Sequence, residues 1–193
     1  TIRHDGTAWV ANSLLYNNGT NIGIGTTTPG AKLSVNTTSY PTMELKYNDN
    51  KVVDIYSNVA SNIFIGSGSG SNISTGTGNV GYGYQALQNN TTGNYNVASG
   101  FSALRSNTGG SNNVANGYFA LYSNTTGSGN VASGFYALSV NTTGGENTAS
   151  GYQSLRLNTT GSGNVASGYV ALFFNTTGSS NVAIGRGALY SNT

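Results

Sequence analysis

NVASGFYALSVNTTGGE, residues 130–146, runs without a gap into NTASGYQSLRLNTTGSG, residues 147–163, and the two stretches share Asn, Ala, Ser, Gly, Leu and Asn-Thr-Thr-Gly at matching places. The same pattern starts at Asn79, Asn96, Asn113, Asn130, Asn147, Asn164 and Asn181, each 17 residues after the last, with no insertion. The phase also extends backward. Asn62 lies 17 residues before Asn79, and Gly66 and Gly76 align with Gly83 and Gly93, so the repeat is expected to begin near Asn62. A fixed period of this length within one chain is the signature of stacked solenoid coils.

The columns of the alignment carry the physics. The second position is Val80, Val97, Val114, Val131, Thr148, Val165 and Val182; the third is Gly81, Ala98, Ala115, Ala132, Ala149, Ala166 and Ala183. Successive strand residues point to opposite faces, so one column looks into the coil and the other outward. An outward Ala strip is odd for a lone solenoid and would be explained by a neighbouring chain packed closely against it. The ninth position is Leu87, Leu104, Leu121, Leu138, Leu155, Leu172 and Leu189, each preceded by Ala or Ser, and reads as a second short strand. The sixth carries Tyr84, Phe101, Tyr118, Phe135, Tyr152 and Tyr169 before changing to Arg186. At about 4.8 Å per coil these rings form a ladder along the axis. It reads either as packing, within the chain or between chains, or as a surface strip for stacking glycans, which needs the rings exposed.

Gly83, Gly100, Gly117 and their successors close the first strand, and Asn-Thr-Thr-Gly closes the second. Gly admits positive φ and Asn tolerates it, which suits corners; Asn side chains in register can also hydrogen-bond from coil to coil. One Val, one Leu and one ring per coil would be a meagre core, and chains with so little to bury usually associate. A partner chain is therefore expected. About eight coils at about 4.8 Å each make a rod on the order of 40 Å, which presents repeated surface and no pocket.

Composition agrees with a patterned polar fibre. Of 193 residues only 6% are charged, while 29 are Gly and 10% are aromatic. A net charge of +2 with no charge run gives no footprint for nucleic acid or an anionic membrane. There is no cysteine, hence no disulfide framework or thiolate metal site. No apolar stretch approaches the roughly 18 residues of a membrane span, and no signal-peptide pattern opens the chain. The abrupt start at Thr1 and the stop inside a repeat at Thr193 lead to the expectation that this is a segment of a longer protein.

NVASGFYAL (Asn130 to Leu138) and NVAIGRGAL (Asn181 to Leu189) resemble the head repeats of YadA-like trimeric autotransporter adhesins. The resemblance covers Asn62 to Thr193 and implies a left-handed parallel β-roll with three chains side by side. The period here is longer than that family's commonest repeat, through the Asn-Thr-Thr-Gly corner.

Residues 1–61 lack the 17-residue phase and read as a small β-rich segment separate from the repeats at 62–193. Asp5-Gly6 between Ile2–His4 and Thr7–Val10 reads as a hairpin, and Asn48-Asp49-Asn50 between Met43–Lys46 and Val52–Tyr56 as another. Pro29-Gly30 and Tyr40-Pro41 add turns. The stretch Asn21 to Val35 is similar to a segment common in phage tail fibres and large bacterial surface proteins, where it often precedes a self-cleaving chaperone domain.

No chemistry-bearing constellation emerges. His4 is the sole histidine, and with Asp5 it reads as a solvated hairpin residue far more readily than as a dyad. Neither paired carboxylates nor the Asp per turn of calcium-binding rolls recur in the coils. Gly23-Ile24-Gly25 and Gly66-Ser67-Gly68 lack the helix and Lys of a phosphate loop. The Asn-Thr-Thr sequons read as corners. The expectation is thus an all-β parallel β-roll, trimeric and non-enzymatic, without cofactor, metal or catalytic residues. It would serve as an extracellular shaft or head of a phage tail fibre or bacterial surface adhesin, meeting a glycan or protein receptor without membrane insertion. The alternative is a monomeric ice- or glycan-binding solenoid, motivated by the Thr column that includes Thr91, Thr108 and Thr125.

Overall fold

The computed structural model describes residues 61–192 with their side chains and, within residues 1–60, the backbone of the strand segments only. It divides into two compact units, Thr1–Pro41 and Thr42–Thr193. In the first, β1 (Ile2–His4) pairs antiparallel with β2 (Trp9–Ala11), setting Ile2 opposite Ala11 and His4 opposite Trp9. A separate sheet joins β3 (Leu15–Asn17) antiparallel to β4 (Ile22–Ile24), and β4 parallel to β5 (Leu33–Val35). Asp5-Gly6, Pro29-Gly30, Tyr40-Pro41 and Asn48-Asp49 lie outside the described residues.

The second unit is a solenoid with a hairpin at its start. Its eight parallel strands are β8 (Ile63–Ile65), β9 (Val80–Tyr82), β10 (Val97–Ser99), β11 (Val114–Asn116), β12 (Val131–Ser133), β13 (Thr148–Ser150), β14 (Val165–Ser167) and β15 (Val182–Ile184). Each pairs with the next in a register of 17, Val97 with Val114 and Ala98 with Ala115. The coils begin at Asn62, as the sequence phase requires. Before them β6 (Thr42–Tyr47) and β7 (Asn50–Ser57) form the expected antiparallel hairpin, and β7 pairs antiparallel with β8, Ile55 opposite Ile65. A hairpin laid on the first coil satisfies an edge that would otherwise be open to other chains.

The strand residues are oriented opposite to the expectation of an outward Ala strip. Ala98, Ala115, Ala132, Ala149 and Ala166 are fully buried, and the Val column faces out. The physical reason is room. The interior opposite the strand is already filled by Leu and Asn, so only a methyl fits, and Val stands on the free face.

The expected second strand is also absent. Around Leu121 the backbone alternates in sign, with positive φ at Gly117 (141°), Phe119 (55°) and Leu121 (51°). This breaks the pleat, so Ala120 and Leu121 both point inward instead of to opposite faces; both are fully buried. Hydrogen bonding between coils continues: Phe119 N–H donates to Phe101 O at 3.0 Å and Leu121 N–H to Ala137 O at 3.0 Å. A left-handed Leu costs about 1–2 kcal/mol, while burying its side chain returns about 1.5–3 kcal/mol. Burial offsets the strain, which is why the ninth position holds a large apolar residue despite its φ.

The other half of the core is polar. Asn113 donates from Nδ2 to Asn96 Oδ1 at 3.1 Å and to Gly127 O at 2.9 Å, while its Oδ1 accepts from the N–H and Nδ2 of Asn130 at 2.9 and 3.2 Å. Both donors and both acceptor sites of the amide are thus used. A second ladder runs beside it, with Asn124 Nδ2 donating to Asn107 Oδ1 at 2.8 Å and to the same Gly127 carbonyl at 2.9 Å. In the six coils that start at Asn79 to Asn164, two fully buried Asn converging on one glycine carbonyl thus join Ala and Leu in a core that closes within a single chain. The Val and the ring, counted as core in the sequence, lie outside it.

Glycine at the coil's fifth position follows from this stacking. A Cβ on Gly117 would meet Gly134 O at 2.5 Å, and its φ of 141° is one that other residues rarely adopt.

Candidate functional surface

The six-ring column is present and half-exposed. Tyr84, Phe101, Tyr118, Phe135, Tyr152 and Tyr169 follow one another with centroids 4.9–5.3 Å apart and planes within 25° of parallel. The fifth-position glycine turns the chain immediately before each ring, so every ring leaves its coil in the same direction. Each is between 40% and 50% exposed.

Which part of the ring is exposed decides what the column can do. Neighbours this close cover both faces of every interior ring, leaving the edges to solvent. Beyond the last ring, the Arg186 guanidinium lies 5.5 Å from the centre of Tyr169. At the other end, Ser67 holds the equivalent position before Tyr84. A sugar stacking along the strip would need ring faces, and the ladder conceals them. Edges carry the positive part of the aromatic quadrupole.

Further rings, not singled out in the sequence, widen the column into a belt. Phe119 and Tyr136 at the seventh position stack at 5.3 Å and 4°, and meet Tyr118 and Phe135 edge-on at 4.6 and 4.7 Å. Tyr122 at the tenth position lies 4.6 Å from Phe119, and Phe173 stacks on Tyr190 at 5.4 Å. Their columns mix rings with Gln, Ser and Arg, so no ladder stands out in sequence. The alternating backbone brings the seventh and tenth positions to the side of the sixth.

Arginines are seated on the same belt. Arg105 donates from Nη1 to Tyr122 Oη at 2.7 Å and from Nε to Gln88 Oε1 at 2.9 Å. Arg156 lies between two rings, its guanidinium carbon 5.1 Å from the Tyr136 centroid and 5.7 Å from that of Phe173, with its Nε–H buried and unpartnered. Such contacts contribute about 0.5–2 kcal/mol and hold the guanidinium plane in place.

The outward face of the parallel sheet carries a different pattern. Val97, Val114, Val131 and Val165, each 36–41% exposed, form an aliphatic row that Thr148 interrupts. Ser99, Asn116, Ser133, Ser150 and Ser167 run alongside two residues on. Among the described residues no cluster of His, Cys, Asp or Glu could hold a metal ion, and no helix is long and apolar enough to cross a membrane. His4 lies in β1, and its neighbour Asp5 is outside the described residues.

Compared with known proteins, the chain matches no family model, no curated protein and no solved structure.

Proposed function

We propose that this chain is a structural and adhesive fibre segment, the shaft or head of a phage tail fibre or bacterial surface adhesin, working outside the cell as a trimer. The supporting observation is the outward row Val97, Val114, Val131 and Val165, interrupted by Thr148 and held half-exposed along the sheet face. A mostly aliphatic row repeated on coil after coil marks an interaction face. A closed ring of identical chains covers such a row on every copy equally. The resemblance of NVASGFYAL to trimeric adhesin head repeats points the same way. A rod of identical coils attaches by many weak contacts, whose joint effect exceeds any single one.

Sedimentation equilibrium of the chain tests this. The expected mass is three times 19.7 kDa. Val114→Lys with Val131→Lys should give folded monomers, because both side chains leave the core untouched. A wild-type chain that sediments as a monomer overturns the trimer.

The alternative is a monomeric ice- or glycan-binding solenoid, motivated by the Thr column. Thr91 Oγ1 donates to Thr108 O at 2.9 Å and Thr125 Oγ1 to Thr142 O at 3.0 Å, so these hydroxyls are tied between coils. Thermal hysteresis measured on the purified chain checks this reading, and a clear signal would favour it.

A further inference from the structure

All three cations of residues 61–192, Arg105, Arg156 and Arg186, lie on the aromatic belt, each over a ring. The one carboxylate in that range, Glu146, sits off the belt on the corner between Gly144 and Asn147. The belt therefore has one sign of charge although the chain is nearly neutral. From these observations we infer that the belt is a binding strip for a linear acidic polysaccharide, aligned with the solenoid axis, whose carboxylate or sulfate groups meet the guanidinium groups. This deepens the adhesive reading by naming the partner, and it rests on that reading.

Three features select this ligand class. The guanidinium groups are pre-positioned: Arg105 is fixed by Gln88 and Tyr122, Arg156 by Tyr136 and Phe173. A planar guanidinium held this way presents its remaining N–H groups without losing further side-chain freedom, and it favours carboxylate or sulfate oxygens. The rings between the arginines offer edges, which suit an anion better than the ring faces a neutral sugar would use.

Spacing argues against nucleic acid. Arg105 and Arg156 are three coils apart, about 14 Å at 4.8 Å per coil. A duplex carries one charge per about 1.7 Å, which three arginines cannot match. Single strands are usually gripped by bases stacked on open ring faces, and this ladder covers its own. A stiff polyuronate offers an acidic group on successive sugars along a straight line, so a few fixed cations can each find one.

The test uses the full chain with polygalacturonate as probe, its fully methyl-esterified form as the neutral match, and poly(dT) as the nucleic-acid arm. Titration at low salt should show binding to polygalacturonate that weakens as salt rises, with at least tenfold weaker binding to the ester. Arg105→Gln with Arg156→Gln should lose at least tenfold in affinity. Arg156→Lys keeps the charge without the planar stack, and should lose a smaller factor while remaining folded by circular dichroism. Glu146→Gln, which raises net charge by one off the belt, should stay within twofold of wild type. Equal binding of the ester, unchanged binding by the double variant, or tighter binding of poly(dT) would each overturn the proposal. Sedimentation of the same samples reports assembly separately, so a failed fibre reading is not confused with a failed binding strip.

Discussion

In the first coil the ring of Phe64 occupies the space into which a side chain at Gly70 would project: a Cβ built on Gly70 would meet ring atoms Cδ1 and Cζ at 2.5 Å. Every later coil solves the same cross-section the other way, with Gly or Ala in place of Phe64 and Leu in place of Gly70. The two positions form one packing unit. Phe64→Ala should cost about 3–5 kcal/mol through the cavity it leaves, and Gly70→Leu about 1–3 kcal/mol through overpacking. The double variant Phe64→Ala, Gly70→Leu recreates a later coil, and its φ of 58° matches the one the Leu column already adopts. Its loss should fall below the sum of the single losses by at least ~1 kcal/mol. Urea melts of the three variants check this, and strict additivity would show that the positions are independent.

Asn113 should be far less replaceable than Asn116, three residues away on the outer surface. Asn113→Ala removes the acceptor used by the N–H and one Nδ2 proton of Asn130. At about 1–3 kcal/mol for each buried group left unpaired, the loss is about 2–6 kcal/mol. Asn116 is exposed, and Asn116→Ala should change stability by less than about 0.5 kcal/mol. Comparable midpoints for the two variants would contradict a buried amide ladder.

Leu138→Ile distinguishes a turn from a strand at the ninth position. In a strand this near-isosteric swap would cost less than about 1.5 kcal/mol, and Ile has the higher β-propensity. Leu138 has a φ of 50°, where a branched Cβ is strongly disfavoured. The expected loss is therefore larger, about 2 kcal/mol or more. Denaturation midpoints of Leu138→Ile and Leu138→Met give the answer, with Met expected to be the milder change.

Neighbouring glycines Gly109 and Gly110 should respond in opposite ways. A Cβ on Gly110 would run into Gly127 O and sit 2.5 Å from Asn107 Oδ1, whereas one on Gly109 finds only Thr92 Oγ1 at 3.4 Å. Gly109→Thr restores the residue present at that place in the next coils and should be neutral or stabilising by about 0.4–1 kcal/mol, since it narrows the unfolded ensemble. Gly110→Ala forces the stacked coils apart and should lower the melting temperature clearly. Differential scanning calorimetry of both variants checks the contrast.

The 17-residue period, the parallel stacking, the start at Asn62, the ring column and the Asn columns were all open to reading in the sequence alone, because a repeat writes its own alignment. Each column has one environment, and residues that recur there report it. The hairpin strands before the repeat were readable from alternation and turn residues, again local signals.

Tertiary structure alone decided which side of each column faces the core. Val and Ala alternate identically whether Val or Ala points inward, so periodicity could not choose. The choice was made by how much space Leu121 and the paired amides of Asn113 and Asn124 leave opposite the strand. Nor could the sequence show that Leu121 stands at positive φ, since burial overrides a preference that would exclude it there. The belt of Tyr84, Tyr118, Phe119 and Arg156 exists because that unexpected backbone turns three different columns to one side. Spacing along the chain does not encode that convergence; the path of the coil does.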